Sequence, residues 1–535
     1  MKAPRLTPGM IQRYTSQGVW KGSFIDSFVG AAAAAQPHGK AVVDRGRTWT
    51  FGEVEEAVQR LAGALRGLGV GQGDVVSWQL PNWVEAMLVH HATLRLGAVS
   101  NPIVAIYRES EVEFILRQAR SKVVFTPRQF RGFDYEEMYA GLRPSLPDLE
   151  HVVRVAEGEA STSGPTGFAS LLEHEPLMNP PDRDANDVAL LLYTSGTTSA
   201  PKGVLHTHNT LNLENDSIID LFGVSATDVV FMPSPLTHIT GLLYGVMMPF
   251  QVQCPVVLLD VWDVQRAVEL IDEHQASWMI GATPFLHGLL THCTERGRTI
   301  PIRVFGCGGA DVPPELIRKG REVFGGYVGR VYGSSEAPTV SSSFPGASLD
   351  KAATTDGLPI GEVQVKIVDP HGREVGDGVE GEIYTAGPEL FLGYLDSRLD
   401  VDAFTEEGWF RTGDLGVLDG EGFLTITGRS KDIIIRGGEN ISAKEIEDIV
   451  FEHPKVHEVA IVGRPSPVLQ EQVCAFVVVE DGEDLTLEEL VAFVGARGIA
   501  KQKWPEFLIV KEQMPRTASG KIQKFKLRDE VRQDG

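Results

Sequence analysis

The stretch VALLLYTSGTTSAPKG, residues 188–203, joins an apolar run to a polar loop. An apolar run of this kind is typical of a strand buried on both faces. The loop that follows, residues 194–203, carries five hydroxyl side chains, two glycines and Lys202. Backbone N–H groups, hydroxyl donors and one ammonium together suit a polyphosphate, although the Gly-Lys-Ser/Thr of the usual P-loop is missing. The composition alone leaves a phosphate site and an ordinary Ser/Thr-rich surface turn equally open.

The bulk composition is that of a soluble globular protein with several folding units. The chain has 535 residues, which is too long for one ordinary domain. Hydrophobic residues make up 42% and charged residues 23%, the balance of a protein with a large core. Residues 1–19 lack the pattern of a secretory signal. Apolar stretches such as 255–259 are far shorter than the roughly 20 residues that span a bilayer, so we expect no integral membrane contact.

Cysteine usage and net charge exclude further classes of protein. The four cysteines are scattered, without a CxxC pair or a nearby histidine cluster. This pattern predicts neither a disulfide framework nor a zinc site, and it favours a cytoplasmic location. The formal net charge of −23 disfavours nucleic acid and anionic membrane as partners. We expect small-molecule partners, and a homodimer is the one assembly we consider.

Hydrophobic periodicity predicts an α/β fold. Apolar residues recur at helical spacing over 51–68 and 85–96. Short strand-like runs at 75–80 and 121–125 alternate with them. Such alternation is typical of parallel β/α layers. The first part of the chain is therefore expected to form layered β/α subdomains.

The pattern of predicted strands, helices and glycines changes twice in the second half of the sequence. From residue 360 to 427, short strands and frequent glycines predict a β-rich subdomain. Beyond 433, strands and helices alternate again over about 100 residues, an ordinary size for an independent domain. We therefore predict an N-terminal domain over 1–428, with its β-rich subdomain at about 360–428, a hinge at 429–432, and a small C-terminal α+β domain over 433–535.

Six further segments, taken in chain order with the loop at 194–203, carry a family resemblance. They are MPSPLTHITG (232–241), CGGA (307–310), YGSSE (332–336), WFRTGD (409–414), GRSKD (428–432) and PRTASGK (515–521). Together they resemble the adenylate-forming superfamily, which includes acyl-CoA synthetases, firefly luciferase and the adenylation domains of peptide synthetases. Two positions depart from the family pattern. Ser199 stands where glycine is usual, and Ser335 stands where threonine is common.

The resemblance implies an ATP-dependent acyl-CoA ligase, which is an AMP-forming acid–thiol ligase. Such an enzyme uses ATP and Mg²⁺ to convert a carboxylic acid into an acyl-adenylate, with release of pyrophosphate. It then transfers the acyl group to coenzyme A, which is its second substrate. The alternative is an acyl-adenylating enzyme that loads a separate carrier protein. The resemblance also implies that the small C-terminal domain is mobile and rotates about Lys431 and Asp432 between the two steps.

The resemblance assigns catalytic and nucleotide-binding roles to individual residues. Lys521 would bridge the acid and the α-phosphate, and Glu336 would bind Mg²⁺ together with Thr194. The residues expected to bind ATP are Thr194, Ser195, Gly196, Thr197, Thr198, Lys202, Gly308, Gly309, Ala310, Tyr332, Gly333, Ser334, Ser335, Asp414 and Arg429. A solvated lysine, a turn aspartate and a core tyrosine are the ordinary interpretations of Lys521, Asp414 and Tyr332, and the residues by themselves leave these open.

The acceptor site is assigned in the same way. Arg436, Gly437 and Gly438 would receive coenzyme A, because glycines let its pantetheine arm pass close to the backbone and the guanidinium suits its phosphates. A simple turn before an N-cap at Ser442 is the other interpretation of the two glycines.

The carboxylic acid is the least determined part of the interpretation. The resemblance implies that His238, a third catalytic residue, gates an acyl pocket that Gly241 and Thr283 help to line. His238 follows Thr237 where amino-acid-activating members have an aspartate, which disfavours an amino acid. Segments 130–134 and 436–445 are similar to those of cyclohexanecarboxylate–CoA ligases and short- to medium-chain acyl-CoA synthetases. An alicyclic, steroid side-chain or medium-chain fatty acid is therefore expected.

Overall fold

The fold is α/β, as the alternating helical and strand patterns predict. The computed structural model describes residues 1–155, 167–194, 201–309, 312–437, 439–517 and 521–533. Two large, mostly parallel sheets are followed by a small antiparallel sheet and a C-terminal sheet. In the part of the chain so described, no helix combines the length and the apolar character needed to cross a membrane.

The first sheet has nine strands and carries several of the predicted site segments at its strand ends. In spatial order the strands are Leu358–Pro359, Ser341–Ser342, Tyr327–Tyr332, Val304–Gly308, Trp278–Gly281, Val230–Met232, Val256–Leu258, Lys40–Asp44 and Arg47–Thr50. The central strands run parallel, and antiparallel pairings complete both edges. Because parallel strands end at the same edge, Gly308 and Tyr332 come close together although 24 positions separate them.

The second sheet contains the apolar run of the opening stretch. Its six strands are, in spatial order, Lys202–Thr207, Val188–Thr194, Val99–Pro102, Val75–Trp78, Ser121–Pro127 and His151–Val155. Val188–Thr194 is buried as expected and runs parallel to Val99–Pro102. It also pairs antiparallel with Lys202–Thr207, with Thr194 opposite Lys202. The described ends of the polar loop therefore meet in a β-hairpin.

Two further sheets lie in the second half of the chain. The four antiparallel strands Gln364–Val368, Gly381–Ala386, Phe410–Leu418 and Leu424–Arg429 form the β-rich part. The C-terminal sheet has the spatial order Glu439–Ser442, Ile433–Arg436, Gln470–Val479, Val456–Ser466, and Phe507–Val510 pairs with Gln470–Val479. Between these sheets, Ser430–Asp432 is a short 3-10 helix. The domain boundaries themselves stay a prediction.

Helices cover the faces of the sheets. Before the β-rich part they are Pro8–Ser16, Ser27–Ala35, Phe51–Gly67, Val84–Arg95, Glu109–Ala119, Tyr135–Leu142, Phe168–Leu171, His208–Phe222, Ile239–Gly241, Leu242–Met247, Met248–Val252, Val264–His274, Thr283–Glu295, Pro314–Phe324 and Leu349–Thr354. Later ones are Asp400–Ala403, Ala443–Phe451, Leu487–Ala496 and Lys524–Gln533. Local sequence explains their ends; Phe51–Gly67, for example, begins at a capping box formed by Thr50 and Glu53.

Candidate active site

Three predicted nucleotide-binding residues form a hydrogen-bonded chain at the strand ends. The Tyr332 hydroxyl donates to Asp414 Oδ2 at 2.7 Å, and Arg429 Nε lies 2.8 Å from Asp414 Oδ1. Asp414 and Arg429 face each other across neighbouring antiparallel strands. Burial raises the pKa of the Tyr332 phenol well above its usual value, and the Asp414 carboxylate adds to this effect. Tyr332 therefore stays a proton donor, and Asp414 is held between two donors.

Glu336 and Lys202 meet at one aromatic side chain. The hydroxyl of Tyr394 donates to Glu336 Oε1 at 2.8 Å. The ammonium of Lys202 lies 5.2 Å from the centroid of the same ring, within the range of a cation–π contact. Sequence reasoning missed Tyr394, because a glycine–tyrosine pair has no chemical signature and the contact with Glu336 spans 58 positions.

Hydrogen bonds stabilise the turn that contains Glu336. Ser334 Oγ accepts a hydrogen bond from the backbone N–H of Ala337 at 3.1 Å, and the Ser335 carbonyl accepts one from Nε2 of His206 at 2.8 Å. Burial lowers the pKa of His206 to about 4, so the ring is neutral. A Cβ at Gly333 would lie 1.9 Å from the Pro338 carbonyl oxygen, so only glycine fits there. Ser334, Ser335 and Gly333 thus shape the turn.

Lys521 reaches this group from the C-terminal part of the chain. Its loop is braced by Thr517, which donates its backbone N–H to the Lys521 carbonyl at 2.8 Å and accepts from Lys521 N at 3.1 Å. Burial lowers the pKa of the Lys521 ammonium to about 8, and Arg429 adds to the lowering, while Asp414 and Glu336 oppose it. A Cβ built at Gly309 would lie 3.7 Å from Lys521 Cε. Lys521 is therefore not a solvated lysine; it lies among the predicted site residues.

Contacts elsewhere also join the C-terminal sheet to the N-terminal part. The ring of His287, in the helix Thr283–Glu295, lies edge-on to the ring of His457 with centroids 5.1 Å apart. His457 belongs to the strand Val456–Ser466 of the C-terminal sheet. The position of Lys521 is thus part of a wider packing of the two regions.

The residues assigned to the acyl pocket have clear local roles. His238 is the N-cap of the short helix Ile239–Gly241, and its Nδ1 accepts from the backbone N–H of Thr240 at 3.4 Å. Burial lowers the pKa of His238 to about 3, with a further contribution from the charge of Lys521. A Cβ at Gly241 would lie 2.1 Å from the Pro235 carbonyl oxygen. Thr283 begins the helix Thr283–Glu295, with its hydroxyl 3.9 Å from Cys307 Sγ. The His238 ring is therefore neutral, and it lies close enough to Lys521 for the ammonium charge to lower its pKa further.

The predicted hinge and acceptor residues are engaged within the C-terminal part. Arg436 donates from Nε and a terminal nitrogen to both oxygens of Glu506, at 3.0 and 2.9 Å. Gly437 is exposed, has a φ of +59° and donates its N–H to the Leu469 carbonyl at 2.7 Å. At the hinge, Asp432 Oδ1 accepts from Arg528 at 2.6 Å, whereas Lys431 is exposed.

Some predicted residues lie outside the described part of the chain. They are Ser195, Gly196, Thr197, Thr198, Ser199, Ala310 and Gly438. The nearest described site residues are Thr194, Lys202, Gly309 and Gly437. The predicted contacts of the polar loop with phosphates therefore stay predictions.

A metal ion at this site would need ligands from the substrate. Among the described residues, no three His, Cys, Asp or Glu side chains are grouped so that they could hold a metal ion. Glu336 supplies carboxylate oxygen, the hard donor that Mg²⁺ prefers, and Mg²⁺ commonly takes one or two carboxylates together with substrate phosphates. This donor set fits a Mg²⁺ ion shared with a nucleotide and does not fit a closed protein cage.

Comparison with known proteins gives matches over nearly the whole chain. The family described as AMP-binding enzyme matches residues 29–395, and the AMP-binding enzyme C-terminal domain matches residues 445–521. The medium-chain fatty-acid–CoA ligase of Escherichia coli is 36% identical over 522 residues, covering 97% of this chain and 92% of that protein. A salicylyl-CoA synthase / salicylate adenylyltransferase from a Streptomyces species is 30% identical over 534 residues, covering 97% and 96%. ATP-bound MatB from Rhodopseudomonas palustris is similar in structure, with a TM-score of 0.85 and 26% identity over 95% of this chain and 99% of that chain.

Proposed function

The chain belongs to the AMP-binding enzyme family, and we propose that it joins a medium-chain fatty acid to coenzyme A through an acyl-adenylate. It is an AMP-forming acid–thiol ligase that uses ATP, Mg²⁺ and coenzyme A. A cytoplasmic location and a homodimer stay predictions.

The position of Lys521 is the observation that carries the proposed mechanism. In the first step a carboxylate oxygen of the acid attacks the α-phosphorus, and the bond from that phosphorus to the pyrophosphate oxygen breaks. Two anions must approach each other, so a positioned cation lowers the barrier. Lys521 is partly buried and within electrostatic reach of Glu336, Asp414 and Arg429. We assign it to the oxygens of the acid and the α-phosphate.

The hydrogen-bonded chain of Tyr332, Asp414 and Arg429 suits the nucleoside. Asp414 keeps unused lone pairs on both oxygens after accepting from Tyr332 and Arg429, so it can accept from ribose hydroxyls. Gly308 and Gly309 precede this site on the neighbouring strand end, where a flat base could lie against backbone. The polar loop, with Lys202 at its described end, would hold the phosphates.

Glu336 and Thr194 are the residues we assign to Mg²⁺. When bound with ATP, Mg²⁺ neutralises part of the phosphate charge. The carboxylate of Glu336 accepts a hydrogen bond from Tyr394, and Thr194 ends the strand that leads into the polar loop. Glu336 lies in the turn after the strand Tyr327–Tyr332, so the two proposed ligands come from different segments of the chain.

The second step needs a different set of residues. The coenzyme A thiol attacks the acyl carbonyl carbon, and AMP leaves with the bonding electrons of its oxygen. We assign Arg436, Gly437 and Gly438 to coenzyme A and propose that rotation about Lys431 and Asp432 brings them forward. Arg436 is bonded to Glu506 in this structure, so coenzyme A phosphates would have to compete with that carboxylate.

Similarity supports a medium-chain fatty acid over the other acids. The Escherichia coli ligase that acts on such acids is 36% identical over 97% of this chain. His238, which is neutral because burial lowers its pKa to about 3, adds no charge to the acyl side and suits an apolar chain. Alicyclic and steroid side-chain acids stay alternatives within the same proposal.

A pyrophosphate-release screen tests the proposed acid. Octanoate, decanoate, palmitate, cyclohexanecarboxylate, a steroid side-chain acid and salicylate would each be offered with MgATP, with and without coenzyme A. We expect the highest kcat/KM for octanoate or decanoate and a thioester product that depends on coenzyme A. A clear preference for salicylate, or for palmitate, would contradict it.

Transfer to a carrier protein is the second candidate. The chain is 30% identical to a protein named both salicylyl-CoA synthase and salicylate adenylyltransferase, and adenylation by itself does not fix the acceptor of the acyl group. Supplying phosphopantetheinylated acyl carrier protein in place of coenzyme A separates the two acceptors. Faster acyl transfer to the carrier than to coenzyme A would favour this candidate.

A further inference from the structure

We infer that Tyr394 is a positioning residue that orients the Glu336 carboxylate toward MgATP and holds Lys202 beside it. The inference rests on the proposed function, because that function assigns Glu336 to the metal. Tyr394 lies outside every segment that carried the family resemblance. It touches two residues of that set, which come from different strands and turns.

The contacts of the Tyr394 side chain are specific. Its hydroxyl donates to Glu336 Oε1 at 2.8 Å, and its ring centroid lies 5.2 Å from Lys202 Nζ. Tyr394 is only 3% exposed, so water competes little for either contact. Tyr394 thus holds Oε1 of Glu336, and we assign Oε2 to the ligand side.

The backbone around Tyr394 is fixed to the strand that leaves the polar loop. Leu395 N donates to the Gly203 carbonyl at 2.8 Å, one residue beyond Lys202. The Tyr394 N–H donates to Asp400 Oδ1 at 2.9 Å. A shift of the polar-loop strand would therefore move the tyrosine with it.

The same segment is also tied to Glu336 itself. The backbone N–H of Phe391 donates to the Glu336 carbonyl at 2.9 Å, and the rings of Phe391 and Tyr394 pack with centroids 4.8 Å apart. Glu336 is thus held through its backbone and through one carboxylate oxygen. The tyrosine hydroxyl is the donor in that second contact, because an ionised carboxylate can only accept.

A purely structural tyrosine and a positioning tyrosine differ in one measurable respect. Tyr394→Phe keeps the ring, its packing on Phe391 and its contact with Lys202, and removes only the hydrogen bond to Glu336. If the role were packing alone, this variant would bind nucleotide as the wild type does. If the hydroxyl orients Glu336, the variant will bind nucleotide more weakly than the wild type only when Mg²⁺ is present.

The experiment measures binding rather than turnover. The affinity of α,β-methylene-ATP, which cannot release pyrophosphate, is determined by calorimetry with Mg²⁺ and with EDTA. For Tyr394→Phe we expect the ratio of the affinity with Mg²⁺ to the affinity in EDTA to fall about tenfold, which is the effect of one hydrogen bond to a charged group. The affinity in EDTA should be unchanged. Tyr384→Phe, a buried tyrosine of the strand Gly381–Ala386 without an assigned role, is the matched control and should behave as the wild type.

The affinities measured with and without Mg²⁺ distinguish a positioning role of Tyr394 from a packing role. Undiminished Mg²⁺-dependent tightening in Tyr394→Phe, or an equal loss with and without Mg²⁺, overturns the inference. Absence of any Mg²⁺ effect in the wild type overturns both the inference and the metal assignment of Glu336. A wild type that shows the Mg²⁺ effect but ligates no medium-chain acid overturns the proposed substrate and leaves the role of Tyr394 supported if the Phe variant loses the effect.

Removing the ring tests the contact with Lys202. Tyr394→Leu should weaken analogue binding in EDTA as well, which Tyr394→Phe does not. Equal affinities of the two variants in EDTA would overturn the assignment of the ring to Lys202. Should the Leu variant fail to fold, Tyr394→Met, which also lacks the ring, is combined with Lys202→Met, because additive effects of these two changes would show that ring and lysine act separately.

Discussion

Lys521 and Arg436 are two cations of the C-terminal part, and both are assigned to phosphate-bearing substrates. Lys521 lies outside the C-terminal sheet, within electrostatic reach of Glu336, Asp414 and Arg429. Arg436 is bonded through two nitrogens to Glu506 within the C-terminal sheet. The groups that we propose for adenylation lie near one another in this structure, while the cation that we propose for coenzyme A is bonded to an internal carboxylate. Under the proposed mechanism, this arrangement would serve the first half-reaction.

Removing the assembled cation should have the largest effect. Lys521→Ala is expected to lower acyl-adenylate formation by about 10²–10³, the usual value of a charge placed where negative charge develops. Thioester formation from supplied acyl-adenylate should be largely spared. Single-turnover assays of the two halves measure both effects.

Lys526 offers a matched control for this experiment. It is an exposed lysine in the helix Lys524–Gln533, five positions beyond Lys521, and Lys526→Ala should leave both halves unchanged. Equal loss of the two half-reactions in Lys521→Ala would contradict its assignment to adenylation and would remove the contrast with Arg436.

A stiffer hinge should affect the two half-reactions differently. Lys431 lies in the 3-10 helix Ser430–Asp432, and Lys431→Pro fixes its φ angle and restricts the preceding residue. We expect adenylation to persist while thioester formation falls by up to about 10²-fold, the effect of misplacing a reacting group. Lys431→Ala, which removes the charge without restricting the backbone, should retain both halves. Unchanged turnover in the proline variant would place the hinge elsewhere.

The pH dependence of adenylation should report the protonation of Lys521. Burial lowers the pKa of Lys521 to about 8, and the protonated ammonium is the active form. We therefore expect kcat/KM to be at its maximum when the pH is well below 8 and to fall about tenfold for each pH unit above 8. Lys521→Arg keeps its charge throughout this range and should lose the alkaline fall, though with a lower plateau. If the arginine variant shows the same fall, another group causes it.

Trp409 should give the smallest effect, although it is next to a predicted nucleotide segment. The ammonium of Lys366 lies 4.3 Å from the centroid of its ring, and the residue touches neither Lys521 nor Arg436 in the described contacts. Trp409→Phe should lower the free energy of unfolding by about 1 kcal/mol or less and leave both half-reactions intact. Urea denaturation and activity assays measure the two quantities, and a stable but inactive variant would refute this prediction.

The sequence predicted the elements better than their contacts. The apolar run at 188–193 predicted a buried strand, which the structure has at Val188–Thr194. Its antiparallel return through Lys202–Thr207 was not predicted, because an apolar run does not specify the direction of its neighbours. Helical spacing over 51–68 predicted the helix Phe51–Gly67 within one residue, since the capping signal lies in the local sequence.

The contacts of the site depend on long-range packing that no local pattern encodes. The proximity of Lys521 to Asp414 and Glu336 was implied by family resemblance and not by spacing. The bond between Arg436 and Glu506 spans 70 positions, and neither residue type predicts the pairing. Tyr394 was missed for the same reason, because a tyrosine gains a role at Glu336 only when two distant segments pack together.

The link between Asp432 and Arg528 has a practical consequence for anyone preparing the enzyme. The proposed pivot is fastened at 2.6 Å to the helix Lys524–Gln533, so force or bulk applied to that helix is transmitted to the pivot. We therefore expect an affinity tag or fluorescent fusion attached after this helix to alter the proposed rotation. Labels for kinetic work therefore belong at the opposite end of the polypeptide.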